Sequence, residues 1–225
     1  MILDFMNFLT YLMYLASSGA VAYYSASQIR DSKTRLNMVR GLYLSESSSV
    51  KFLSTLSERA NKEGDLWLAE KLKNHAKDEN KHSKILAHAL KQIDESIELD
   101  NIEQYKSNSK ENEISLFSAY FDGYSREQLA PNCIDWNVFF ASTYIMEFDA
   151  SKDFVRMAKA LPDNDPSIGN LKLGLLSIAE DEKSHAAYLY DAMMRKMTFP
   201  QVETFVEKWR VRKVKAIFKV IESVI

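Results

Sequence analysis

Cysteine is nearly missing from this chain: Cys133 is the only one among 225 residues. An internal disulfide is excluded, as is any CxxC zinc or rubredoxin-type centre, and a reducing, cytoplasmic setting is expected. Glycine and proline are scarce as well, at six and four residues. That excludes a turn-rich sheet protein and suits long helices. Charge of one sign is also absent: the formal net charge is −2 with 27% charged residues. Neither nucleic acid nor an acidic membrane is therefore an obligatory partner. Nor is there an uninterrupted hydrophobic run long enough to span a bilayer. The most apolar stretch, MILDFMNFLTYLMYLASSGAVAYY, carries Asp4, Asn7 and Thr10 and has no Lys or Arg at its start. A secretory segment should begin positively, and a central Asp in lipid costs about 3 kcal/mol. A buried or interfacial first helix is expected, with Phe5, Phe8, Leu9, Leu12, Met13 and Leu15 filling core or lining an apolar pocket.

What is present is helical periodicity, with no alternating strand pattern. Four long helices are expected over about 33–62, 65–97, 134–161 and up to about Met197. A shorter helix is expected between Ile114 and Leu129, and a last one from about Pro200. Asp165 is a candidate cap for the fourth long helix, with Pro166 in its first turn. The polar connection IELDNIEQYKSNSKENE joins two helical hairpins. The expected architecture is all-α: a four-helix bundle with one long crossover, over about 33–197, within a single domain of residues 1–225.

The hairpins repeat each other. LYLSE ends at Glu46 and DENKH follows, placing Glu46 33 residues before Glu79. TYIME ends at Glu147 and DEKSH follows, placing Glu147 35 residues before Glu182. Tyr43 and Tyr144 precede the first glutamate of each copy by three residues. The register of these residues is informative. In the second long helix the apolar seam reads Leu68, Leu72, His75, Glu79, His82, Leu86, Ala89. In the fourth it reads Ile168, Leu171, Leu175, Ile178, Glu182, His185, Leu189, Ala192. Glu46 and Glu147 interrupt the seams of the other two helices in the same way. Glutamates and histidines thus occupy the face that should be apolar.

Four buried carboxylates need compensation, because each unpaired buried ion costs several kcal/mol and like charges add to that. Protonation is one solution. Two divalent cations are the other, with two neutral imidazoles completing the shell, and mixed oxygen and nitrogen donors suit iron or manganese. Glu and His at i and i+3 share one helix face. Asp78 and Asp181 point away from that face, where each could accept the second ring proton of a ligating histidine and fix its tautomer.

Glu46, Glu79-x-x-His82, Glu147 and Glu182-x-x-His185 resemble the ferritin-like di-iron carboxylate superfamily. The resemblance implies that His82 and His185 each hold one metal, that Glu79 and Glu182 bridge, and that Glu46 and Glu147 are terminal ligands. It further implies two iron ions, or manganese or a mixed pair, with O₂ as co-substrate. Electrons would come from an external donor such as a ferredoxin or flavoprotein. Size and additional end helices are similar to the small single-chain oxygenases, among them aldehyde-deformylating oxygenase and a tRNA-modifying hydroxylase. The implied function is a dioxygen-activating oxidase or oxygenase acting on a small organic, apolar substrate, as a monomer or dimer. A tRNA-modifying hydroxylase and a ferroxidase or iron-storage bundle are the alternatives. For tRNA, the basic residues Lys208, Arg210, Arg212, Lys213, Lys215 and Lys219 offer a surface alongside Trp209 and Phe218. Further catalytic candidates are Tyr43, His75, Tyr144 and Tyr188. His75 breaks the symmetry, since its counterpart is Ile178. It could be a seventh ligand, a proton donor, or a core histidine bonded to Glu79. Tyr43 and Tyr144 are expected to hydrogen-bond ligand carboxylates, and His88 to lie exposed.

Overall fold

A computed structural model describes residues 2–99, 115–163, 165 and 168–224. These form seven α-helices, and no strand occurs among the described residues. They are α1 (Ile2–Arg30), α2 (Ser32–Lys62), α3 (Leu66–Ile93), α4 (Leu116–Tyr120), α5 (Trp136–Ala160), α6 (Gly169–Lys196) and α7 (Phe199–Val224). The bundle consists of two hairpins, α2 with α3 and α5 with α6, which meet where α3 packs on α6. α1 lies against α5, α2 and α7, and α7 also covers α4 and α5. This is the all-α, ferritin-like layout.

Local chemistry sets the helix ends. α2 closes on Gly64, whose φ of 83° is open to a residue without Cβ. The Asp65 N–H then reaches back to the Ala60 carbonyl at 2.9 Å, and the Gly64 N–H to Asn61 at 3.1 Å. These are the two bonds of a Schellman closure. Asp65 in turn caps α3, its carboxylate accepting from the Leu68 N–H. One turn therefore ends one helix and begins the next, fixing the phase of Glu79 against Glu46.

Two aliphatic and aromatic cores sandwich the middle of the bundle. One gathers Leu56, Leu72, Phe139, Phe140, Leu189 and Trp209. The other gathers Val39, Leu86, Leu90, Phe154, Leu175 and Ile178. The seams of α3 and α6 are buried almost throughout, including their polar members. At Gly174 the two helices approach so closely that a Cβ would sit 2.4 Å from Ile85 Cγ2.

Several expectations are corrected. α4 ends at Tyr120 rather than Leu129. Gly123 adopts φ 83°, and Arg212 donates to the carbonyls of Tyr120 and Asp122, which holds this stretch as turns. α6 starts at Gly169 with no side-chain cap; Asp165 instead lies 3.6 Å from Arg35. Pro166 and positions 100–113 of the connection fall outside the described residues. α1 is less buried than its composition suggested: Phe8, Leu9, Leu12, Met13 and Leu15 are 41–57% exposed. Only Tyr14, Ser17, Ala22, Ser25 and Ile29 of the described α1 side chains are buried. The Phe5 side chain is outside the described set. No helix among the described residues is long and apolar enough to cross a membrane.

Candidate metal centre

Between the two cores, at matching heights on four helices, lie Glu46 of α2, Glu79 and His82 of α3, Glu147 of α5, and Glu182 and His185 of α6. The side chains of Glu79, His82, Glu182 and His185 are no more than 5% exposed, and those of Glu46 and Glu147 are 10% and 15% exposed. His82 Nδ1 is 3.2 Å from Glu46 Oε2 and 3.3 Å from Glu182 Oε1. His185 Nδ1 is 3.1 Å from Glu182 Oε2 and 3.9 Å from Glu79 Oε1. The opposite ring nitrogens cross between the hairpins. His82 Nε2 is 3.1 Å from Asp181 Oδ2, and His185 Nε2 is 3.2 Å from Asp78 Oδ2. Lys81 donates to the same Asp181 oxygen at 2.5 Å.

His75 joins this cluster. Its Nε2 lies 3.2 Å from Glu79 Oε1 and 3.5 Å from Glu147 Oε1, and its Nδ1 lies 2.8 Å from the Tyr188 hydroxyl. Its ring stacks on His185 with centroids 3.6 Å apart. Tyr43 and Tyr144 stand apart: among the described residues, neither hydroxyl bonds a cluster carboxylate. Tyr144 packs on Phe148 and Tyr190. His88 is exposed. Of the basic residues on α7, Arg212 and Lys213 are drawn into internal contacts, and Trp209 is fully buried. Lys208, Lys215 and Lys219 remain exposed.

The electrostatics show what crowding four carboxylates costs. Burial, reinforced by the charges of Glu46 and Glu182, pushes the Glu79 carboxyl up to about 11. Burial raises Glu147 well above its ordinary range too, again with Glu182 as the next cause. Glu182 goes the other way. Burial opposes its charge, but hydrogen bonds with Glu147, His185 and His82 outweigh it and hold the group well below the usual range. Burial alone would lower His82, yet bonds to Glu182, Glu46 and Asp181 carry it up to about 10. Burial, with His185 alongside, keeps His75 well below the usual imidazole value. Protons therefore neutralise the cluster, partly on carboxyls and partly on an imidazole.

The donor set fits a pair of cations. One ligand atom from each of Glu46, Glu79, His82 and Glu182 lies within 4.8 Å of the other three. The same holds for His75, Glu79, Glu182 and His185. Glu79 and Glu182 belong to both groups, as bridging carboxylates would. Glu147 belongs to neither; it bonds Glu182 and faces His75. Carboxylates and imidazoles together suit a divalent transition metal, with Asp78 and Asp181 placed to hold the outer ring protons.

A feature that seam periodicity did not reveal borders this cluster. A cavity of about 260 Å³, lined by Phe52, Phe117, Phe121, Phe139 and Met146, reaches His75 and Glu147. A second cavity of about 290 Å³ shares Phe117 and Met146 with it. Beside the second, buried Asp149 accepts a 2.6 Å bond from the Tyr14 hydroxyl and a bond from Lys213, tying α1, α5 and α7 together. Asp149 carries no motif in the sequence.

Residues 42–119 match the family model described as Rubrerythrin. No curated protein and no solved structure matches the chain. The matched segment contains Glu46, His75, Asp78, Glu79 and His82 but stops before the second hairpin. The second half of the cluster is thus supplied by the fold and the internal repeat. Over residues 42–119, then, the chain is similar to the Rubrerythrin family of ferritin-like di-iron proteins, and the all-α bundle with a buried His/Glu cluster at its centre accords with that likeness.

Proposed function

We propose that this protein is a di-metal oxidoreductase that uses dioxygen to oxidise a small apolar organic substrate. Glu46, Glu79, His82, Glu147, Glu182 and His185 are the residues that would hold two ions, iron or manganese, and Glu79 and Glu182 are the two common to both donor groups. The observation that carries the reading is the aromatic cavity that ends on Glu147 and His75. Storing iron requires no such chamber, whereas a reaction on an organic molecule requires one beside the centre.

Two bound ions would supply the dioxygen chemistry, with electrons from an external donor such as a ferredoxin or flavoprotein. In a monooxygenation two electrons come from the donor and two from the substrate. One oxygen atom enters the product and the other leaves as water. The chain's own residues have separate tasks. Phe52, Phe121, Phe139 and Met146 exclude water and orient the substrate. Ser142 and Thr143, also on the cavity wall, offer hydroxyls to a polar group on it. Asp181 and Asp78 keep the Nε2 protons of His82 and His185 in place, so that both Nδ1 atoms face the carboxylates.

A second reading, iron oxidation or peroxide removal without an organic product, draws support from the rubrerythrin match over the first hairpin. One experiment separates the two. The metal-free protein is loaded anaerobically with Fe(II), its metal is counted, and it is exposed to O₂ with a panel of small apolar molecules and a reductant. Two metals per chain and an oxygenated product are expected. Two metals with iron turnover and no organic product would favour the second reading. Fewer than two metals at saturation would end both.

A further inference from the structure

We propose that His75 is a third imidazole ligand, binding the same metal as His185 on the cavity side of the centre, with Tyr188 fixing its tautomer. The inference rests on the di-metal reading above and adds a ligand that the six-residue scheme does not contain.

The geometry of the three histidines carries it. Each has one ring nitrogen among the glutamates and the other on a hydrogen-bond partner outside them. His82 presents Nδ1 inward and leaves Nε2 to Asp181, and His185 does the same with Asp78. His75 follows the plan with its nitrogens exchanged. Nε2 points between Glu79 and Glu147, and Nδ1 lies 2.8 Å from the Tyr188 oxygen. With Nδ1–H donated to Tyr188, the Nε2 lone pair is free and directed at the carboxylates. Its ligand atom lies within 4.8 Å of those from Glu79, Glu182 and His185.

A purely structural histidine would not be needed here. The corresponding position of the second hairpin holds Ile178, fully buried, so an aliphatic side chain satisfies the same niche in the repeat. An imidazole instead brings polar atoms into a site with 2% exposure, a cost that a metal bond offsets. The partners differ in kind, too. A carboxylate behind an imidazole raises its basicity. A neutral phenol does so less, which makes His75 the weakest-held of the three ligands and the one beside the substrate cavity.

The test counts ligating histidines directly. Protein with ¹⁵N-labelled histidine is loaded with Co(II), and hyperfine-shifted N–H protons are counted by NMR, since each ligating imidazole contributes one from its outer nitrogen. Three are expected in the wild type and two in His75→Gln at an unchanged two Co(II) per chain. Co(II) affinity in His75→Gln should fall about tenfold, at the lower end of effects for supporting groups around metal sites. Tyr188→Phe should keep three signals but shift one of them and speed its exchange with solvent. Two signals in the wild type overturn the proposal while leaving the di-metal reading intact. Three signals that survive in His75→Gln overturn it as well. Fewer than two Co(II) in the wild type overturn the di-metal centre itself, and this ligand with it. The wild-type count is decisive even if a variant fails to fold.

Discussion

The half of the centre around His82 and the half around His185 begin from nearly the same sequence, DENKH against DEKSH, and end in different surroundings. His82 faces Glu46 and Glu182, and its Asp181 is paired with Lys81. His185 stacks on His75, lies near Tyr188, and belongs to the side that opens on the aromatic cavity. The repeated pentapeptide supplies a symmetric ligand frame. The residues one turn away make it asymmetric, so that only the His185 half has His75 and the aromatic cavity beside it. In a duplicated site, then, the motif marks what the two halves share and the departures from it mark where they differ.

Four measurements would break or sharpen that contrast. The largest effect should come from Glu182, which both halves share. Glu182→Ala is expected to weaken metal binding by more than about 100-fold and leave at most one metal per chain in elemental analysis, since losing a carboxylate common to both donor groups exceeds the loss of a supporting group. If two metals were retained, the shared-carboxylate arrangement would be wrong. Filling the cavity should act on one half alone. Met146→Trp is expected to cut substrate turnover by about 100-fold, the scale of misplacing a reactant, with the metal content unchanged. Equal turnover would detach the cavity from the reaction.

The third comparison exchanges the halves. Asp181→Asn and Asp78→Asn should each cost about 10- to 100-fold in affinity for one metal. The Asp181 variant also strips Lys81 of its partner, so titration with competing chelators should show it as the more damaging. The last effect is pH-dependent. Glu79 at about 11 and His82 at about 10 are both raised above their ordinary values of 4.5 and 6.5. Their stabilisation of the metal-free fold is complete below those ordinary values and is lost as pH climbs through the raised ones. Thermal unfolding of the metal-free protein should therefore shift to lower temperature between pH 7 and 10. Metal in place of the protons should flatten the slope.

The helices and the buried polar seam were legible in the sequence because both are periodic. A glutamate on an apolar stripe needs no structure to stand out, and Asp65 and Asp135 announce helix starts by their type and place. α1 could not be read the same way. It is apolar on nearly every side, so hydrophobicity alone did not say that Phe8 and Leu12 face outward while Tyr14 faces in. The cavity was also hidden. Phe139 and Met146 look like ordinary core in a list of residues, and only the fold brings them to one cavity with Phe52, Phe117 and Phe121. The length of α4 was misjudged because the turns after Tyr120 depend on Arg212, a residue 92 positions away.

The turn at Gly64 gives the first hairpin a rotational setting as well as a reversal. Each residue added to a helix turns everything beyond it by about 100° around the axis. One residue inserted between Gly64 and Leu66 would break the cap at Asp65 and re-index α3 against α2. His75, Glu79 and His82 would then swing off the central axis together, leaving Asn74, Asp78 and Lys81 in their places. A chain altered in that way could keep its helix content in circular dichroism and still lose both metals. Few positions so far from the centre hold its whole angular alignment in a single backbone conformation.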